Sequence, residues 1–124
     1  MTNNTTPAGM PEWFATWFAA KFDLPVPDGL AQYLTSHPNG LWSQAGSLWK
    51  AEAIIDATEE RDLQEKGVCM IGETAFEGIF LLRARDGRVF AVDKHDYSEV
   101  DAWFSDLESC LCLMDFEEAP PSAG

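Results

Sequence analysis

The chain has 124 residues, 46% hydrophobic and 12% aromatic, which suffices for one domain with its own core. It carries 21 acids against 8 bases, a formal net charge of −13. No apolar run reaches the roughly 18–20 residues that span a bilayer, and so negative a chain suits neither nucleic acid nor an anionic membrane, since both require a positive field.

Residues 1–10 are polar and are expected to be disordered. They lack the basic and apolar regions of a secretory signal, so the expected location is the cytoplasm. Pro11-Glu12 then opens a helix predicted to run to Phe22, with a proline and an acid in its first turn. Trp13 and Trp17, with Phe14 and Phe18, form a broad apolar stripe, either core or a protein-binding face. Pro27-Asp28 starts a second helix that buries Leu30, Tyr33 and Leu34 and ends at His37-Pro38-Asn39-Gly40. Leu41–Trp49 reads as a loop, with at most a short strand near Ser47–Trp49. A third helix is predicted from Ala53 to Glu65. Its inward residues are Ile54, Ile55, Thr58 and Leu63, its solvated face is Glu59, Glu60, Asp62 and Glu65, and Gly67 is its stop.

Three strands follow, Val68–Ile71, Gly78–Arg85 and Arg88–Asp93. Asp86-Gly87 between two apolar runs predicts a hairpin with a type I′ turn. Ile79–Leu82 is apolar on both faces and reads as a central strand. In the next strand Val89 and Ala91 face one way, Phe90 and Val92 the other. Lys94–Ser98 reads as a polar loop and Glu99–Phe104 as a last strand. Ser105-x-x-Glu108 has the pattern of a capping box that opens a short closing helix with Leu107, Leu111 and Met114 inward. Residues 117–124, acidic and Pro-rich, are expected to be a disordered tail. The reading is a single α+β domain over residues 11–116, with a mostly antiparallel sheet of four to five strands and helices on one face.

The charge is uneven. Residues 1–50 hold three acids and two bases, residues 51–124 eighteen acids and six bases. Such an excess suits a basic protein partner, although acidic surfaces also serve solubility. Three cysteines leave no fully paired framework and no Cys-x-x-Cys pair for zinc, so they read as small buried hydrophobes. Asp93 and His95, with Glu73 or Glu77, offer a conceivable oxygen-rich metal site or acid–base pair. A solvated loop is the plainer reading. A thiolate nucleophile is disfavoured by the negative surroundings. No phosphate-binding glycine loop or hydrolase motif is present, and neither a cofactor nor catalysis is expected.

Four segments carry a resemblance to a known family. Pro27-Asp28-Gly29-Leu30-Ala31-Gln32-Tyr33-Leu34 resembles its proline–acid helix start followed by an aromatic. Asn39-Gly40 stands where that helix ends. Gly78-Ile79-Phe80 through Asp86-Gly87-Arg88-Val89-Phe90 resembles its central hairpin. Ser105–Leu111 resembles its closing segment, with Leu107 and Cys110 in the two aromatic positions. In order and spacing these resemble the SUKH superfamily, which includes Syd-like proteins and a yeast cell-wall synthesis regulator. The resemblance implies a non-enzymatic binding domain, such as a bacterial immunity protein that neutralises a toxin domain, or a Syd-like cytosolic regulator. A small metal-dependent hydrolase using Asp93 and His95 is the alternative from a different class. The expected partner is a basic protein, and the chain is expected to be a monomer or a weak homodimer. The residues expected to meet the partner are Trp42, Glu59, Glu60, Asp62, Glu73, Glu77, Asp96, Tyr97, Glu99 and Asp101.

Overall fold

A computed structural model describes residues 10–44, 46–75, 77–114 and 117–118. The chain is α+β. Helices α1 (Glu12–Phe22) and α2 (Asp28–Ser36) precede a hairpin of β1 (Leu41–Ser43) and β2 (Gly46–Leu48). Helix α3 (Ala51–Glu60) and a 3-10 turn (Leu63–Lys66) lead to β3 (Val68–Thr74), β4 (Gly78–Arg83), β5 (Val89–Asp93) and β6 (Asp96–Phe104). Helix α4 (Leu107–Met114) and a two-residue strand, β7 (Glu117–Glu118), follow. Seven strands form one sheet in the order β6-β5-β4-β3-β2-β1-β7, and every pairing is antiparallel.

The sheet is thus larger than the four to five strands expected. The short strand expected near Ser47 is β2, whereas β1, three residues long with Trp42 exposed between Leu41 and Ser43, carries no strand signal of its own. The tail supplies β7, which pairs with β1. The rest of the tail, and residues 1–9, lie outside the described residues.

Strand β4 is central, and Gly78 to Leu82 are all buried. Its inward residues Phe80 and Leu82 join Cys69, Ile71, Val89 and Ala91 in the main core. The four helices close over that face with Phe14 and Phe18, Leu30, Tyr33 and Leu34, Ala51 and Ile54, and Leu107 and Cys110. Proline and an acid open α1 and α2 as expected, and Asp23, left-handed at φ 57°, stops α1. Gly29 lies one van der Waals contact from α4: a Cβ there would sit 3.5 Å from that of Leu107. The opposite face buries Met70, Ile79, Leu81 and Val92 with Leu63 of the 3-10 turn.

Helix α3 ends at Glu60, five residues before the predicted Glu65. Asp62 turns left-handed (φ 53°) and the chain continues as the 3-10 turn. Ile54 belongs to the main core, while Ala57 of the same helix and Leu63 of the 3-10 turn pack on the opposite cluster. Thr58 is buried on α3, and its hydroxyl accepts the backbone N–H of Met70 at 3.0 Å. β2 pairs only with Gly72–Thr74 of β3. The first half of β3 thus lacks a strand on the side away from β4, and Thr58 of α3 supplies the acceptor for the Met70 N–H that β2 does not reach.

The β4–β5 connection is not the predicted two-residue type I′ turn. Ala84–Gly87 form a four-residue loop in which Gly87 alone is left-handed (φ 76°), closed by Gly87 N–H to the Arg83 carbonyl at 2.8 Å. Ala84 is drawn inward, buried, with its N–H on the Gly67 carbonyl. Asp86 accepts two bonds from the Arg83 guanidinium and one from the Arg88 N–H. Arg83 thereby holds the Asp86 carboxyl down to about 2. The cap of α4 also shifts by one residue. Asp106, not Ser105, accepts the Ser109 N–H at 2.8 Å, which lowers its pKa.

Thr58→Val keeps the shape but leaves the Met70 N–H without an acceptor. It is expected to destabilise by about 1–3 kcal/mol in urea unfolding, while Thr58→Ser costs much less. Asp86→Asn tests the turn through pH. The depressed carboxylate stabilises the fold above its ordinary value of 3.8, and that contribution is lost as pH falls through about 2. The variant should be weaker by about 0.2–1 kcal/mol at neutral pH, as a largely solvated pair allows. The difference should vanish near the folded-state value in an acid titration followed by circular dichroism.

Candidate functional site

The residues expected to meet a partner fall into three places. Trp42 is 51% exposed on β1. Five strand spacings separate β1 from β6, about 24 Å. Glu59, Glu60 and Asp62 stand at the C-terminal end of α3. Glu73, Glu77, Asp96 and Tyr97 gather where the β3–β4 and β5–β6 turns meet, because Gly78 pairs with Asp93 and Asp93 with Asp96. Glu99 and Asp101 continue from there along β6.

Two of these groups are engaged within the chain. The Glu59 carboxylate accepts the Trp17 indole N–H at 2.7 Å and lies 3.7 Å from Lys21 Nζ, so it ties α3 to α1. Glu60 pairs with Arg61 at 3.2 Å. Glu77, left-handed at φ 63°, holds Lys94 Nζ at 2.9 Å and lies 3.8 Å from His95 Nε2. Its hydrogen bond to Lys94 lowers the Glu77 pKa and raises that of Lys94.

The Lys94–Ser98 segment is not a loop throughout. Lys94 and His95 alone make the turn, and β6 begins at Asp96. Asp93 accepts the His95 backbone N–H at 2.7 Å, and Asp96 accepts both the N–H and hydroxyl of Ser98, which lower its pKa. Both carboxylates thus organise the turn. Among the described residues no group of three or more His, Cys, Asp and Glu is placed to hold a metal ion. Cys69 and Cys110 are buried, which pushes each thiol up to about 12 and leaves it protonated; Cys112 is exposed.

Strand β6 is the most open element. None of its nine residues is buried, and among the described residues it pairs only with β5. Trp103 lies opposite Phe90 and Val100 opposite Val92, which places both on the face away from the helices. They are 56% and 48% exposed. Tyr97 packs on the same side. The Arg88 guanidinium stacks 4.7 Å above the Trp103 ring and that of Arg83 5.2 Å above Phe90. Asp86, within 4.0 Å of both arginines, offsets part of their charge. Pairing jumps from Ala102–Ala91 to Val100–Val92, so Asp101 is the extra residue of a bulge. Trp103 and Val100 were not among the expected contacts. The sequence signal was weak because the bulge interrupts the alternation of Glu-Val-Asp-Ala-Trp-Phe.

A separate cleft of about 520 Å³ lies between the α1–α2 linker, the first turn of α2, the β4–β5 loop and the start of α4. Val26, Pro27, Asp28, Arg85, Asp106 and Glu108 are among its walls. It contains none of the expected contact residues, nor Asp93 or His95.

Because Glu59 is a tie between helices, Glu59→Lys should act on stability. Unfolding in urea is expected to show a loss of about 0.5–1.5 kcal/mol. Glu60→Lys, whose partner is its exposed chain neighbour, should stay within about 0.5 kcal/mol of the parent.

No protein-family model matches this chain, and neither does any curated protein.

Proposed function

We propose that this chain is a non-enzymatic protein-binding domain of the SUKH type, a bacterial immunity protein that captures a basic toxin domain. The observation that carries the reading is β6: nine residues, none buried, with Asp96, Glu99 and Asp101 and no base among them, and with Val100 and Trp103 exposed. A large aromatic beside an aliphatic residue supplies the desolvated anchor that interfaces concentrate their energy on. Carboxylates around it steer a basic partner and repel an acidic one. The sequence resemblance over the α2 start, the central hairpin and the closing helix supports the family part of this reading. A Syd-like regulator that contacts a basic loop would use the same chemistry on a different partner.

The direct test is co-expression with a basic toxin domain, which this reading expects a neighbouring gene to encode. Cells should survive with the parent chain and die with a Trp103→Ala/Asp101→Lys double variant that folds normally by circular dichroism. Equal killing with and without the parent chain overturns the reading. Stopped-flow mixing of the purified pair supplies the second check. Association should slow steeply as ionic strength rises from 0.01 to 0.15 M, where the Debye length falls from about 30 to about 8 Å. Dissociation should change little.

A further inference from the structure

We propose that the outer edge of β6 at Val100–Phe104 is a strand-addition site for an extended, basic segment of the partner. The inference rests on the protein-binding reading above and adds the mode of binding and the form of the ligand. An edge strand presents a row of backbone donors and acceptors, and such a row recruits another strand unless something blunts it. Among the described residues β6 pairs on one side only. No proline lies in it, and Val100 and Trp103 are exposed on the face they share. Five residues match the length of an ordinary short strand.

The side chains specify which strand is accepted. Val100 and Trp103, on the face away from the helices, offer apolar contact, with Phe90 and Tyr97 beside them. Glu99 and Asp101 flank Val100, and Asp96 lies upstream. Two cations face the same region. Arg88 over Trp103 and Arg83 over Phe90 both lie within 4.0 Å of Asp86, which offsets only one of their two charges, so the Trp103 end of the site stays weakly positive and the Asp96–Asp101 end is acidic. A second copy of this chain is the obvious competitor for an exposed edge. Antiparallel self-pairing about Val100 would bring Glu99 and Asp101 of the two copies together in chains that each carry −13, and like charges facing across strands destabilise the pair. A segment that alternates basic and apolar residues meets both demands at once.

The test uses the full chain, labelled with nitrogen-15, and three synthetic octapeptides. One alternates lysine and valine, one alternates glutamate and valine, and one is the lysine–valine peptide N-methylated at alternate residues along one edge. The lysine–valine peptide should shift the amide resonances of Val100–Phe104. N-methylation, which removes edge hydrogen bonds but keeps the charges, should weaken binding by about tenfold or more. The glutamate peptide should cause no shift there. Asp101→Lys should weaken the lysine–valine peptide in a chain with an unchanged spectrum elsewhere. Equal binding of the N-methylated peptide overturns strand addition and leaves the basic-partner reading standing. Equal binding of the glutamate peptide at β6 overturns the charge selectivity and, with it, that reading. Shifts confined to other elements, or none from any peptide at millimolar concentration, overturn the proposal. So does concentration-dependent broadening of β6 without peptide, which would mark a second copy as the occupant.

Discussion

Strand β4 buries Gly78, Ile79, Phe80, Leu81 and Leu82 in succession, and a strand buried on both sides must be covered twice. The side of Phe80 and Leu82 is covered by four helices. The side of Ile79 and Leu81 is covered more thinly, by Leu63 of the 3-10 turn, by Ala57 of α3 and by Trp49, Val68, Phe90 and Tyr97. This asymmetry sets the character of the molecule. Full burial of a Phe or Leu contributes about 1.5–3 kcal/mol, and Phe14, Phe18, Leu30, Leu34, Phe80 and Leu82 are all essentially inaccessible on the helical side. The opposite face closes over the middle of the sheet and opens toward β6, where Val100 and Trp103 meet solvent. The exposed surface is therefore the thin side of a two-sided core.

The same asymmetry decides what could be read from the sequence. The α+β class, helices α1 and α2, and the central hairpin were legible because each rests on a local signal. Proline with an acid opens both helices, helical spacing selects Phe14, Phe18, Leu30, Tyr33 and Leu34, and Val89, Phe90, Ala91 and Val92 alternate faces as read. Elements set by tertiary demands were not legible. Glu59-Glu60-Arg61-Asp62-Leu63 has nothing against a helix, yet Asp62 turns left-handed and the chain tightens into a 3-10 turn that seats Leu63 in the second cluster. The loop after Arg83 has the Asp-Gly of a tight hairpin, yet Ala84 is buried and the turn widens around it.

The candidate surface was legible in chemistry and not in arrangement. Acid excess in the second half of the chain pointed toward β6, and Asp96, Tyr97, Glu99 and Asp101 do lie there. Charge counting could not tell a free carboxylate from one already spoken for. Glu59 is held by Trp17 and Lys21, and Glu77 by Lys94. Exposure of an aromatic was equally hidden. Trp13, Trp17, Trp42, Trp49 and Trp103 look alike in sequence, but Trp17 and Trp49 pack against the core while Trp103 stands on an edge strand.

An exposed, nine-residue edge is a hazard unless something prevents indiscriminate pairing. Here the bulge at Asp101 breaks the register, Asp96 folds the start of the strand into a local turn with Ser98, and the acids of β6 repel a second copy. None of these devices removes the backbone groups of Val100–Phe104 or the apolar surface of Trp103. They restrict what can use them. A hydrophobic strand without charge gains contact but no steering, an acidic strand is repelled, and a basic strand gains both. If β6 takes a basic strand as proposed, the features that disfavour self-pairing are the same ones that select the partner, and the net charge of −13 acts on both through one field.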